Sequence, residues 1–364
     1  MVAFPTVFAV GENYNIFIPF SAEVLVKIRV AGKMYYDDCC GILRSNTNMH
    51  KVEVPMSALN EAMSYTVIYR EMIDRKPYFP TSKDEKEITF EFNPVPDSGK
   101  INIYHVSDAH NLVEEPVNAG RFFGSDLHLL VLNGDIPNHS GDVKNFNAIC
   151  EIASGITEGR IPAVFARGNH DTRGIHAEDM PAYIPIHNGK TYYTFRVGCI
   201  WGIILDCGED KPDTNAEYGG TICFHEFRLR ETDFINQVIE NAEKEYLAEG
   251  VKHRLVVCHM PFTYIQSPPF DIEQELYGEW SRLIREEIKP SLMLYGHMHI
   301  CRVSAVGGEM DHQGQACPAI FGSRPIFSKD GKNGFEGCAL TLDDEKTTVW
   351  FNNDKGEILN KIEL

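Results

Sequence analysis

Nothing in this chain of 364 residues approaches the run of about eighteen apolar residues that a membrane-spanning helix needs. Runs of five or more basic residues are also missing, and 34 Lys plus Arg stand against 52 Asp plus Glu, a formal charge of −18 with His neutral. Such a field repels nucleic acid and anionic membranes unless a local basic patch opposes it, so neither is an expected partner. The ten cysteines are too sparse and too irregular for a disulfide scaffold. Cys199, Cys207, Cys258 and Cys338 lie in or beside apolar runs, where a free thiol packs as a small hydrophobe, and the neighbours Cys39 and Cys40 are poorly placed to bond each other. The expectation is a cytoplasmic protein with reduced thiols. Met1 to Phe20 lacks a basic segment followed by an apolar one and reads as a first strand; export with a leader already removed stays compatible with it.

What is present divides into two regions, since the length exceeds that at which a single core usually stops growing. Residues 1–98 read as strands without a helix: Asn15–Phe20, Glu23–Val30, His50–Val54, Tyr65–Tyr69 and Glu87–Phe92 are apolar or β-branched runs separated by Gly, Asn, Asp and Pro. Val24, Val26, Ile28 and Val30 alternate with Leu25, Lys27 and Arg29, the period of a strand with one buried face. A small β-sandwich of the fibronectin or immunoglobulin kind is expected there. Asn93–Gly99, with two prolines, is the linker.

From residue 99 to 364 the rhythm becomes strand, loop, helix. Strands are expected at Ile101–Val106, Leu127–Leu132, Ile161–Ala166, Arg254–Cys258 and Ser291–Tyr295, with hairpins at Thr191–Asp206 and Ala339–Phe351. Helices are expected at Asp142–Ile156, Glu231–Leu247 and Ile272–Ile288 from their apolar stripes.

Five polar clusters each closely follow one of these strands: Asp108-Ala109-His110, Gly134-Asp135, Gly168-Asn169-His170-Asp171, His259 and Gly296-His297-Met298-His299. Strand ends hold ligands rigidly while loops leave room for substrate. Any one cluster is weak, because a lone His after a strand is more often a structural residue. In series they are drawn from Asp, His and Asn without Cys, which suits Zn, Fe, Mn or Ni rather than a closed structural zinc site. Seven such groups are too many for one ion and suit two.

In this order the clusters resemble the calcineurin-like metallophosphoesterase superfamily. That resemblance implies an α+β fold, a metallophosphoesterase core of two packed β-sheets flanked by helices, here preceded by the small all-β sandwich domain. It implies that Asp108, His110 and His299 hold one metal, that Asn169, His259 and His297 hold a second, and that Asp135 bridges them. His170 would stabilise or protonate the leaving-group oxygen, with Asp171 orienting it. The reaction implied is hydrolysis of a phosphate mono- or diester on a small phosphorylated substrate by a hydroxide shared between the two metals. A β-domain before such a core is similar to purple acid phosphatases, but those have Asp-x-Gly where this chain has Asp108-Ala109-His110, a Tyr where it has Asn138, and Glu where it has Asp171. The site more resembles the all-divalent branch, which includes cyclic-nucleotide and glycerophosphodiester phosphodiesterases.

Arg173 could grip a phosphate oxygen bidentately, and Asn138 and His139 could line the pocket. Gly208–Phe227 has little periodicity and reads as a long loop shaping specificity. Tyr264 is an exposed loop aromatic or a substrate contact, and His187, His225, His253 and His312 have no cluster partner and read as structural. A scaffold that keeps the fold without catalysis is the competing class; its signature would be lost ligands, and this chain retains all seven together with His170.

Overall fold

A computed structural model describes residues 1–364. Two large sheets dominate it. The first has ten strands, in the order Ile358–Glu363, Thr347–Asn353, Gly334–Leu342, Ile101–Val106, Leu129–Asn133, Pro162–Ala166, Thr6–Val10, Asn13–Pro19 and Met49–Pro55, with Arg324–Ile326 pairing on Gly334–Leu342. The second has six, in the order Tyr193–Val197, Ile200–Leu205, His253–Cys258, Leu292–Tyr295, Ala319–Gly322 and Cys301–Ser304. Ile101–Val106, Leu129–Asn133 and Pro162–Ala166 run parallel, as do Ile200–Leu205, His253–Cys258 and Leu292–Tyr295. Parallel strands covered on both faces have nearly continuous apolar sequences, and every residue of Leu129–Asn133 is buried.

The two sheets share one apolar core, in which Ile103, Val131 and Phe165 of the first meet Ile204, Leu255 and Leu294 of the second. Asn133 ties them together, donating from its amide nitrogen to the carbonyls of Cys258 at 3.2 Å and Leu294 at 3.1 Å. Helix Asn147–Thr157 buries Ile149, Ile152 and Ala153 in this core. Helices Phe224–Glu240 and Gln274–Leu283 cover the outer face of the second sheet, around Trp201, Trp280 and Tyr295.

The N-terminal region is antiparallel β structure in two layers. One layer is a separate sheet, Lys86–Glu91, Ser64–Asp74, Val24–Val30 and Lys33–Tyr36, in which Val24–Val30 buries alternate residues as its pattern requires. The other layer is continuous with the large sheet, because Thr6–Val10 pairs in parallel with Pro162–Ala166, Val7 opposite Pro162 and Phe8 opposite Ala163. Further ties run from Tyr65, which donates to the carbonyl of Gly159 at 2.8 Å, and from the amide of Asn93 to the carbonyl of Arg160 at 2.8 Å.

Several elements differ from expectation. Residues 1–98 contain one short helix, Met56–Ala62, inside a region read as all strand. The helix expected at Glu231–Leu247 starts earlier, at Phe224, and ends at Glu240; Ala242 and Tyr246 continue the apolar stripe but lie in turns. Cys301–Ser304, Ala319–Gly322 and Ile358–Glu363 were not anticipated. They are short, or, like Ile358–Glu363, exposed on nearly every residue, so no two-residue period marks them.

Candidate metal centre

Three adjacent strands of the first sheet and two adjacent strands of the second end at the same place. Their C-terminal loops carry all five polar clusters, and three of the clusters turn sharply. Asp108, His110, Asp135, His297 and His299 all have positive φ, between 46° and 66°. Non-glycine residues in the left-handed region cost energy and gather where a site over-determines them. Gly134 shows why the small residue is needed: a Cβ there would lie 2.6 Å from the His259 ring.

The resulting side chains form two groups of closely spaced donors. Asp108, His110 and His299 make one, and Asp135, His259 and His297 the other, each with ligand atoms within 4.8 Å of one another. Asn169 joins the second, its Oδ1 3.0 Å from His297 Nδ1. His110 Nε2 and His299 Nε2 point at each other across 3.0 Å. Two nitrogens each ~2.1 Å from one ion lie about 3.0 Å apart at a right angle and about 3.4 Å apart in a tetrahedron, so the pair is close enough to share a cation. His259 donates from Nδ1 to the carbonyl of Asn133 at 2.7 Å, which turns Nε2 toward the site. That Nε2 is buried without a hydrogen-bond donor or acceptor in good geometry, 3.1 Å from Asp135 Oδ2 and 3.8 Å from Asp108 Oδ1.

The backbone orients the carboxylates. Asp108 accepts from Ser107 Oγ at 2.7 Å and from the amide of His297 at 3.0 Å, and Asp135 accepts from the amide of His170 at 2.8 Å. Asp108, Asp135 and Asp171 are all essentially inaccessible to solvent. Burial opposes charge on Asp135, but His259 beside it holds its carboxyl below the ordinary range. Burial likewise disfavours a protonated His259, yet Asp135 and Asp108 outweigh it and push the ring up to about 10. Burial lowers His110 and His297 to about 4, so both rings offer neutral lone pairs. The arrangement calls for positive charge between the carboxylates, and oxygen and imidazole donors without thiolate suit divalent or transition cations. The residues fit the two-metal expectation.

Two expectations require correction. Asp171 does not orient His170. Its carboxylate accepts from the amides of Gly168 at 2.7 Å and Asp135 at 3.2 Å, and thereby ties two of the site loops together. The His170 ring is held instead by the carbonyl of Asn138, 2.8 Å from Nδ1, so Asn138 serves through its backbone. Arg173 is not a free phosphate grip. Its guanidinium is clamped by Glu209, with Nε at 3.0 Å and Nη2 at 2.9 Å, and by Asp210 at 3.0 Å, while Nη1 lies 3.3 Å from His170 Nε2.

Ser107, Asn133, Glu209 and Asp210 escaped sequence reasoning. Glu209 and Asp210 open the Gly208–Phe227 segment, which reaches the site through them: Asn169 Nδ2 donates to Asp210 at 3.3 Å. His139 caps a local turn, accepting from the amide of Gly141 at 3.0 Å. His225 pairs with Glu273 at 2.9 Å and His312 packs against Tyr264 with ring centroids 4.9 Å apart, both within other parts of the molecule.

A strand-end constellation of Asp, His and Asn between two packed sheets forms a candidate metal centre. Residues 101–301 match the family described as calcineurin-like phosphoesterase, more than half of the chain, and the protein belongs to that family. A protein of Fibrobacter succinogenes named "Probable cyclic nucleotide phosphodiesterase" is 31% identical over 105 residues, an alignment covering 27% of this chain and 39% of that relative. Among solved structures, the purple acid phosphatase PPD1 from yellow lupin (Lupinus luteus) seeds superimposes with a TM-score of 0.62 at 13% identity, over all of this chain and 74% of that one. A structure of PhoD gives 0.53 at 11% identity, over 96% of this chain and 85% of that one. These likenesses establish the fold, including the N-terminal β region before the core.

Proposed function

We propose that this protein is a metal-dependent phosphodiesterase that uses two divalent cations at the Asp108–His299 and Asp135–His259 groups. The observation that carries the reading is the charge balance of the site. Buried Asp108 and Asp135 face five imidazoles within contact range, and Arg173, the basic side chain beside His170, is neutralised by Glu209 and Asp210. Lys211 is likewise taken up by Asp210 at 3.2 Å and Glu217 at 2.8 Å. A monoester near neutral pH carries close to two negative charges, as other phosphomonoesters do, whereas a diester carries one. A centre without an unclaimed Lys or Arg favours the diester.

Two bound cations would supply a nucleophile at neutral pH and neutralise the phosphoryl oxygens. Asp108, His110 and His299 would hold one ion, Asn169, His259 and His297 the other, with Asp135 shared. His170 would assist at the leaving oxygen; its Nδ1–H donates to the carbonyl of Asn138, and its Nε2 accepts from Arg173 Nη1 at 3.3 Å until substrate competes for it. The relative named for cyclic nucleotides supports a diester substrate.

The test is turnover of bis-p-nitrophenyl phosphate against p-nitrophenyl phosphate after loading with Mn²⁺, with EDTA as control. A metal-dependent preference for the diester is expected. Preference for the monoester would overturn the charge argument, and no turnover of either by a chain without bound metal would favour a catalytically inactive scaffold.

A further inference from the structure

One side of the metal centre carries an aromatic residue that the reaction itself does not require. Phe327 is 59% exposed, far more than a ring placed for packing, and follows Ile326, itself 40% exposed. Isolated exposed apolar residues are common on protein surfaces. This one stands over the site: its ring centroid lies 6.4 Å from that of His110 at an interplanar angle of 57°. The same His110 ring lies 4.7 Å from His170 and 5.0 Å from His299. Phe327 therefore stands beside the His110 ring, at the edge of the centre and one imidazole away from both His170 and His299.

The backbone under Phe327 is braced. Arg324–Ile326 pairs with Gly334–Leu342, Arg324 opposite Glu336 and Ile326 opposite Gly334. Beyond the ring, the amide of Ser328 donates to Asn333 Oδ1 at 3.2 Å, and the amide of Gly331 to the carbonyl of Ser328 at 3.1 Å. A ring held in advance on a braced turn loses little freedom on binding. Elsewhere on the rim of the centre, an open cavity of about 540 Å³ starts at His299 and runs along Arg302, Arg324 and Asn360, without Phe327 in its lining. That volume lies in the range of small-molecule sites. Both arginines there are paired, with Glu309 at 2.9 Å and with Glu336, so the cavity offers polar edges without a net cationic grip.

Resting on the phosphodiesterase reading, we propose that Phe327 is the stacking platform for a planar group of the substrate, a nucleobase, and so sets specificity for nucleotide esters over those of glycerol or other aliphatic alcohols. A base laid on Phe327 would lie beside the His110 ring while its phosphate sits among the metal ligands. Stacking on one aromatic side chain changes affinity by roughly ten-fold and tolerates any base, since every base presents a π face.

Calorimetric titration of Mn²⁺-loaded protein with AMP and with ribose 5-phosphate tests this, because the two ligands share a phosphate and a sugar and differ in the base. Wild type should bind AMP roughly ten-fold more tightly. Phe327→Ala should abolish that preference with unchanged metal content and melting temperature, and Phe327→Trp should restore it. Equal affinity of wild type for the two ligands, no measurable binding of either, or a preference that survives Phe327→Ala would overturn the proposal. Turnover of bis-p-nitrophenyl phosphate is scored separately: an AMP preference that depends on Phe327 in a protein without turnover would refute the phosphodiesterase reading and leave the platform standing.

Discussion

Asp135 and His170 meet through a single hydrogen bond, from the His170 amide to Asp135 Oδ1, yet they should fail differently. Asp135 lies within reach of both donor groups, beside His110 and beside His259. Asp135→Ala should lose bound metal, measured by plasma mass spectrometry, and with it all turnover. His170→Ala should keep two metals and lose roughly a hundred- to ten-thousand-fold in rate, the range for a residue that assists proton transfer. Retention of both metals by Asp135→Ala would refute the shared role. A second consequence concerns His259, whose folded value of about 10 stands above the ordinary value near 6.5. A raised folded value contributes stability that is complete below about 6.5 and lost as pH rises through about 10. The melting temperature of EDTA-treated protein should therefore fall between pH 7 and 10. Loading with Mn²⁺ at pH 8 should displace the His259 proton, giving release of about one proton per chain in an indicator assay, since ligands bind metal deprotonated. No release would show His259 to be neutral before metal arrives.

Elements show where sequence pattern carries information and where it stops. The five strands that present the site were legible because they are short apolar runs ending in Gly, Asp and His, and a buried parallel strand has few other ways to look. The contacts that refine the site were not legible: Glu209 reaches Arg173 from 36 residues away and Asn133 reaches His259 from 126. Asp171 was misread because adjacency to His170 says nothing about direction, and the turn at His170–Thr172 points the carboxylate back toward Gly168. The fusion of the N-terminal layer to the large sheet rests on pairing between Val7 and Pro162, a register that no local signal encodes. That fusion yields a prediction. Deleting residues 1–98 removes Thr6–Val10 from beside Pro162–Ala166 and uncovers Phe165, which packs edge-on against Phe8 with centroids 6.4 Å apart. An unpaired apolar edge strand invites aggregation. The 99–364 fragment should be insoluble or aggregate on size-exclusion chromatography, and a monodisperse, active fragment would show that the two regions fold independently.

For the molecule as a whole, the charge of −18 is set against a substrate that is itself an anion. At ~0.01 M ionic strength the screening length is about 30 Å, so an approaching diester feels much of the chain's acidic surface. At ~0.15 M it falls to about 8 Å, and the field near the site is then dominated by the bound cations and their ligands. Encounter should therefore be hindered at low salt and relieved as salt rises, the reverse of the steering seen when protein and ligand carry opposite charge. With Mn²⁺ held saturating, kcat/KM for bis-p-nitrophenyl phosphate should increase a few-fold between 10 and 200 mM NaCl, with kcat little changed because chemistry follows binding. The two parameters separate the causes: a rise confined to kcat would point to a salt effect on the loops. A fall in kcat/KM with salt would mean that the metals already outweigh the surface at a distance, making the acidic surface irrelevant to substrate capture.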